Sequence, residues 1–187
     1  MRIITGRARG LKLKTPAGLS TRPTSDRVKE SLFSILNGLI TFTQVNAVLD
    51  IFAGTGALGL EAISRGANSA TFIDAATTDI IRDNATRAKF LDVCKILRGD
   101  FQKILARLAK QSQLFDLIFS DPPYATNFAQ SSLNLVAELN LLSTGGLIVV
   151  EHGAEEILLT PKNFQLVRNI SYGHTSAIEI FAREQSP

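Results

Sequence analysis

The sequence predicts an α/β fold: one mostly parallel sheet with helices on both faces. From Val45 onward, short apolar runs alternate with helix-length amphipathic segments. Repeated strand–helix units of this kind build a parallel sheet covered on both sides. A glycine-rich turn, Gly54-Thr55-Gly56-Ala57-Leu58-Gly59, joins the first run to the first helical segment. Acids close several runs, at Asp50, Asp74, Asp100 and Asp121. Ligands of open α/β sheets bind at that carboxyl edge.

Taken in order, the chain starts with two short alternating runs, Arg2 to Thr5 and Leu11 to Thr15, around Gly6-Arg7-Ala8-Arg9-Gly10. They read as a β-hairpin with Lys12 and Lys14 on a basic face, ended by Pro16-Ala17-Gly18. Thr24 or Ser25 can cap a following helix, and Asp26 suits its positive N-terminus. Val28, Ser31, Leu32, Ile35, Leu36 and Leu39 carry helical spacing through about Asn37-Gly38.

The expected strands are Ala47–Phe52, Ser69–Asp74, Cys94–Leu97, Leu117–Ser120 and Leu147–Glu151. The expected helices between them are Gly56–Arg65, Thr78–Phe90, Phe101–Ala109 and Phe128–Leu142, and a hairpin of 164–172 and 176–181 turns at Gly173. The one plausible boundary lies near residues 40–46. It separates an extension of residues 1–44 from a main domain of residues 45–187.

At 187 residues and 45% hydrophobic content, the chain has the composition of a globular protein with a substantial core. No apolar run approaches the ~18–20 residues of a membrane helix, and Met1–Arg7 leads into no apolar signal core. A cytoplasmic, monomeric protein is expected. The single cysteine, Cys94, reads as a core thiol and excludes an intramolecular disulfide. His152 and His174 share no metal spacing; both read as structural, and no metal is expected.

Charge is unevenly placed. Residues 1–30 hold eight basic and two acidic residues, whereas the remainder holds twelve basic and fifteen acidic. A basic arm on a slightly acidic body points to a polyanion on one side of the molecule. Arg7, Arg9, Lys12, Arg22 and Arg27 are its candidate RNA contacts. A solvated basic hairpin is the plainer alternative.

The segment Asp50–Gly59 contains a literal G-x-G-x-x-G, which on its own invites a dinucleotide. Asp50, however, sits at the strand end, four residues before Gly54. A carboxylate there accepts hydrogen bonds from an ammonium group, such as that of S-adenosylmethionine, and repels a pyrophosphate. Gly54, Gly56 and Gly59 then serve backbone approach and positive-φ turns. Phe52 belongs to the same turn. Asp74 suits a ribose diol in either cofactor. Asp100 and Phe101 suit an adenine amino group and ring. Each acid alone also reads as a helix cap or turn residue.

Asp121-Pro122-Pro123-Tyr124 closes the strand beginning at Phe115, because two prolines cannot continue a ladder. A nucleobase amine is a poor nucleophile and must be held in line. The Asp121 carboxylate and the Pro122 carbonyl supply two acceptors for its N–H groups. Such acceptors strengthen as nitrogen becomes positive. Tyr124 can stack on a flipped base, worth about 1–3 kcal/mol. An ordinary turn with a surface tyrosine remains the simpler reading of these four residues alone.

Together these motifs resemble class I S-adenosylmethionine-dependent amino-methyltransferases, and more closely the RsmD family of bacterial 16S rRNA guanine-N2 methyltransferases. The matching pieces are Met1-Arg2-Ile3-Ile4, Arg9-Gly10, Arg22-Pro23-Thr24 with Asp26-Arg27-Val28-Lys29-Glu30, Asp50 to Ala62, and Asp121 to Tyr124. The resemblance implies a Rossmann-like sheet of seven strands, the last antiparallel, with an N-terminal hairpin and helix extension. It implies guanine 966 of 16S rRNA, in a small-subunit particle, as the substrate. It also places Arg27 and Glu30 near the active site, where an i,i+3 surface pair is the alternative. Relatives commonly carry Glu where strand two ends here in Asp74. Glu151 ends strand five and reads as a contact to backbone or solvent. Three other readings stand beside this one: an adenine-N6 methyltransferase of the same fold, an NAD(P)-binding oxidoreductase, and a non-catalytic RNA-binding factor.

Overall fold

The computed structural model describes residues 1–15, 26–123, 126–173 and 175–184. Seven strands form one sheet: β1 (Ala47–Ile51), β2 (Ser69–Asp74), β3 (Cys94–Arg98), β4 (Phe115–Ser120), β5 (Leu142–Gly153), β6 (Phe164–Tyr172) and β7 (Ser176–Arg183). Their order is β3-β2-β1-β4-β5-β7-β6. The first five run parallel; β7 is antiparallel to β5 and to β6. This is the seven-stranded sheet expected from the sequence. The order reverses between β1 and β4, so the topological switch point lies between the strands ending in Asp50-Ile51 and Ser120-Asp121.

Among the described residues, five α-helices cover the sheet: α1 (Asp26–Asn37), α2 (Ala57–Arg65), α3 (Thr78–Arg87), α4 (Phe101–Lys110) and α5 (Phe128–Glu138). Strand residues alternate between two apolar clusters. Val48, Leu117, Phe119, Leu147 and Val149 pack with Leu32 and Phe33 of α1, Leu60 and Ile63 of α2, and Ile81 of α3. Leu49, Ile51, Ile118, Ile148 and Val150 pack with Leu105 and Leu108 of α4 and Leu133 and Val136 of α5. Ile3 and Leu13 of the amino-terminal arm join the first cluster. No described helix is long and apolar enough to cross a membrane.

Several boundaries differ from expectation. The arm is joined by a single bridge, Arg2 to Lys12, rather than by a full ladder. Helix α5 ends at Glu138, because Asn140 takes φ +53° and Leu142 already pairs with Phe115. Strand β5 therefore starts at Leu142, and its register with β4 shifts between Phe115 and Leu117, near Gly145-Gly146. Helix α3 stops at Arg87, with Lys89 at φ +61°. The expected caps Thr24 and Ser25, the break at Pro16-Ala17-Gly18, and Arg22, Tyr124 and His174 lie outside the described residues.

Candidate active site

Three carboxylates stand in a row on the carboxyl edge, on three adjacent strands. Asp50 is on β1; Asp121 follows β4; Glu151 lies near the end of β5. Alternation from Val48, Phe119 and Val149 turns all three to the α1–α3 face. Ile51 pairs with Ser120, and Ser120 with Val150, so Asp121 follows between its two neighbours.

Asp50 is buried, and its Oδ2 accepts the Gly59 N–H at 2.9 Å. Burial pushes its carboxyl up to about 8 against the opposing Gly59 bond, and Asp74 raises it further. Asp121 is raised well above the usual range, first by burial, then by the charges of Glu151 and Asp50. An edge that gathers three carboxyl groups on adjacent strands is suited to a cationic or N–H-rich ligand.

The glycines do three separate jobs. Gly54 takes φ +56°, and a Cβ there would meet only the Phe52 carbonyl oxygen, at an ordinary 3.9 Å. Gly56 is left-handed at φ 78° and starts α2. Gly59 has ordinary backbone, but a Cβ there would lie 2.4 Å from Phe72 Cε1. It therefore lets α2 lie close against β2 and hold its N–H on Asp50.

Asp74 is more committed than the sequence suggests. Its Oδ2 accepts Gly54 N–H at 2.9 Å, and its Oδ1 accepts Ala76 and Thr77 N–H, both at 2.8 Å. It thus shapes the glycine turn and leaves part of its acceptor capacity to a ligand hydroxyl. Asp100 caps α4 by accepting Lys103 N–H at 3.0 Å and stays exposed. Phe52 adopts φ +61°, rare for an aromatic residue. Its ring lies 4.7 Å from Phe101 and stacks on Phe128 at 5.9 Å with 6° between planes. Phe128 was missed in the sequence. Its signal was there: like Phe101, it is the first residue of a helix following a strand-end acid.

Glu61 and Lys29, which the sequence offers only within longer motif blocks, are both fully buried. The Glu61 carboxylate accepts Ile4 N–H at 2.7 Å and Thr5 N–H at 3.0 Å. It also pairs with Lys29 Nζ at 3.2 Å and Arg65 Nε at 2.8 Å. Lys29 Nζ donates to the Arg2 carbonyl as well. Burial lowers the Lys29 pKa, with Glu61 opposing the shift. This network fixes the arm and α1 onto α2. Phe33 of α1 lies 5.7 Å from Phe119 of β4, and residues 37–41 reach the opposite, amino edge near Asp116. Helix α1 thus runs against β4, and its start, with exposed Arg27 and Glu30, faces the Asp121 edge.

Among the described basic residues, Arg7 is engaged by the protein itself. Lys12 and Arg9 are exposed. Arg7 donates to the Ile63 carbonyl at 3.0 Å and lies over the Phe90 ring at 5.1 Å. The hairpin tip is thereby held at the far end of α2 from the glycine turn. Cys94 is half-buried, with its thiol pushed up to about 12 by burial. His152 turns to the opposite sheet face from Asp121 and lies 4.0 Å from Glu179.

The family described as conserved hypothetical protein 95 matches residues 1–181. The chain belongs to this family. Haemophilus influenzae ribosomal RNA small subunit methyltransferase D is 35% identical over 179 residues, covering 94% of this chain and 91% of that protein. Bacillus subtilis YlbH, named provisionally as an rRNA methyltransferase, is 36% identical over 178 residues, covering 94% and 95%. The solved structure of Escherichia coli yhhF, titled provisionally a methyltransferase, superposes with a TM-score of 0.84 at 33% identity, covering 100% of this chain and 99% of that one. The RsmD-like family expected from the motifs is the one found, and the sheet has the class I methyltransferase architecture.

Proposed function

We propose that this protein transfers a methyl group from S-adenosylmethionine to the exocyclic N2 amine of a guanine in small-subunit rRNA. The observation that carries the reading is the placement of Asp50 and Asp121 at the ends of the adjacent strands β1 and β4, at the switch point and beside a glycine turn. The names of the relatives support rRNA as the substrate class, and the motif resemblance supports guanine 966.

The cofactor fits the residues present. Asp50 is a buried carboxylate raised to about 8, so a ligand ammonium supplies the charge it lacks. The Gly54–Gly59 turn admits a close backbone approach, Asp74 and Asp100 lie at adjoining strand ends, and Phe52 and Phe101 offer ring faces. When bound, S-adenosylmethionine supplies an electrophilic methyl on a sulfonium.

The protein's own residues do the rest. Asp121 and the Pro122 carbonyl accept the two N–H bonds of the amine, which fixes its lone-pair direction. As nitrogen becomes cationic, the Asp121 charge stabilises it, and the carboxylate or water takes the departing proton. Asp121 has a raised pKa in the free protein, which suits a group that must carry that proton. Tyr124, the fourth residue of the motif, is assigned to stacking on the base.

Titration calorimetry tests the cofactor: S-adenosylmethionine binds and NAD does not. Tight NAD binding without a response to the sulfonium would overturn the reading. Methyl transfer to small subunits lacking the modification tests the reaction, with Asp121→Ala abolishing turnover.

A further inference from the structure

We propose that Glu151 selects guanine by accepting its N1–H while Asp121 and the Pro122 carbonyl hold its N2 amine. The inference rests on the amine-methylating reading above and names how that site identifies its base.

The placement comes from the sheet. Ser120 pairs with Val150 in a parallel register, so the next residues, Asp121 and Glu151, stand side by side beyond the last rung. Adjacent strands are about 4.8 Å apart, a spacing that two neighbouring N–H groups on one base edge can bridge between longer side chains. Both residues are half-buried and share the α1 face. The Glu151 charge reaches Asp121 strongly enough to be the second cause of its raised pKa. Asp50 lies on the other side of Asp121, next to the glycine turn. The amine acceptor therefore stands between the cofactor acid and Glu151. The remaining edge of the base extends away from the cofactor, toward β5.

The chemistry follows from which base edge can meet two acceptors. Guanine presents adjacent donors, N2–H and N1–H. Adenine presents its amine beside N1, and cytosine its amine beside N3; both ring nitrogens are acceptors. An ionised carboxylate accepts only, so Glu151 completes a bond to guanine and opposes a lone pair on either of the others. A carboxylate gains a charge-assisted bond from an N–H and is repelled by a ring-nitrogen lone pair, so the site favours the base that presents the donor. Asp121 and Pro122 do not discriminate, since every amino-bearing base satisfies them.

The test uses small-subunit particles whose 16S rRNA carries guanine or 2-aminopurine at the methylated position. 2-Aminopurine keeps the amine and lacks N1–H. Single-turnover methyl transfer should be about 10–100-fold faster on guanine for the wild type, the value of a hydrogen bond to a charged group. Glu151→Ala should slow transfer to guanine and bring the ratio toward one, and Glu151→Gln, whose amide can accept from guanine N1–H or donate to the 2-aminopurine ring nitrogen, should lower the ratio as well. Affinity for S-adenosylhomocysteine should be unchanged, which also verifies folding, and Glu151→Asp should restore part of the ratio. Equal wild-type rates on the two bases would overturn the inference without any variant, as would a ratio that both variants leave intact. A wild-type enzyme that methylates no guanine would instead refute the parent reading.

Discussion

Replacing Asp50 with asparagine separates the cost of its charge from its geometry. The carboxamide oxygen can still accept the Gly59 N–H, now at 2.9 Å, so the turn keeps its hydrogen bond. What disappears is a buried titration. In the folded protein Asp50 holds its proton up to about pH 8, whereas an unfolded aspartate has lost it by about pH 5. Between those values the folded state binds the extra proton, so stability falls as pH rises. The slope is about 1.4 kcal/mol per pH unit for one group. From pH 6 to 8, allowing for half-titration at the upper end, the wild type should lose about 2 kcal/mol more than Asp50→Asn. Removing the Asp50 charge also eases Asp121, which adds to the difference with the same sign. Urea denaturation followed by far-ultraviolet circular dichroism at pH 6, 7 and 8 measures it. Parallel stability curves for the two proteins would refute a buried, proton-holding Asp50.

Four further outcomes are expected. S-Adenosylhomocysteine affinity should rise from pH 6 toward 8 as Asp50 ionises, with proton release that calorimetry reads in buffers of different ionisation enthalpy; a flat profile would remove Asp50 as the ammonium partner. Glu61→Ala should cost about 3–5 kcal/mol in denaturant unfolding, because Lys29 stays buried without its carboxylate, while Lys29→Met combined with Glu61→Leu should recover only part of that loss, since the Ile4 and Thr5 N–H groups and Arg65 still lose their acceptor. Arg7→Ala should lower stability by about 1 kcal/mol through its lost carbonyl bond and ring contact. Arg9→Ala with Lys12→Ala should instead weaken RNA binding in a salt-dependent way, with stability unchanged.

The strand ends were the most legible part of the sequence. Asp50, Asp74 and Asp121 close apolar runs that read as buried strands, Asp100 follows the edge strand β3, and each lies at or just past a strand end in the structure. Boundaries set by long-range pairing were not legible. Leu139 to Leu142 continue a helical spacing, and only the pairing of Leu142 with Phe115 takes them out of α5. Glu61 reads locally as a solvated acid on a helix; its burial depends on Ile4 and Thr5, more than fifty positions earlier. Arg7 shows the same limit from the other side. Its charge suggested a ligand contact, and its partners on α2 and Phe90 are distant in the chain.

Asn84 joins two of these regions. Fully buried on α3, it accepts Lys14 N–H at 2.8 Å and donates to the Lys14 carbonyl at 3.1 Å. The same amide nitrogen donates to the Thr55 carbonyl in the glycine turn at 3.0 Å. One side chain thus fastens the basic arm and the cofactor turn to a single helix. Ordering a loop on association ordinarily opposes binding by an entropy that grows with each residue fixed. Here the backbone at Lys14 and the turn at Thr55 are held by the same amide before either meets a ligand. The backbone at Lys14 and the glycine turn at Thr55 are thus preorganised together.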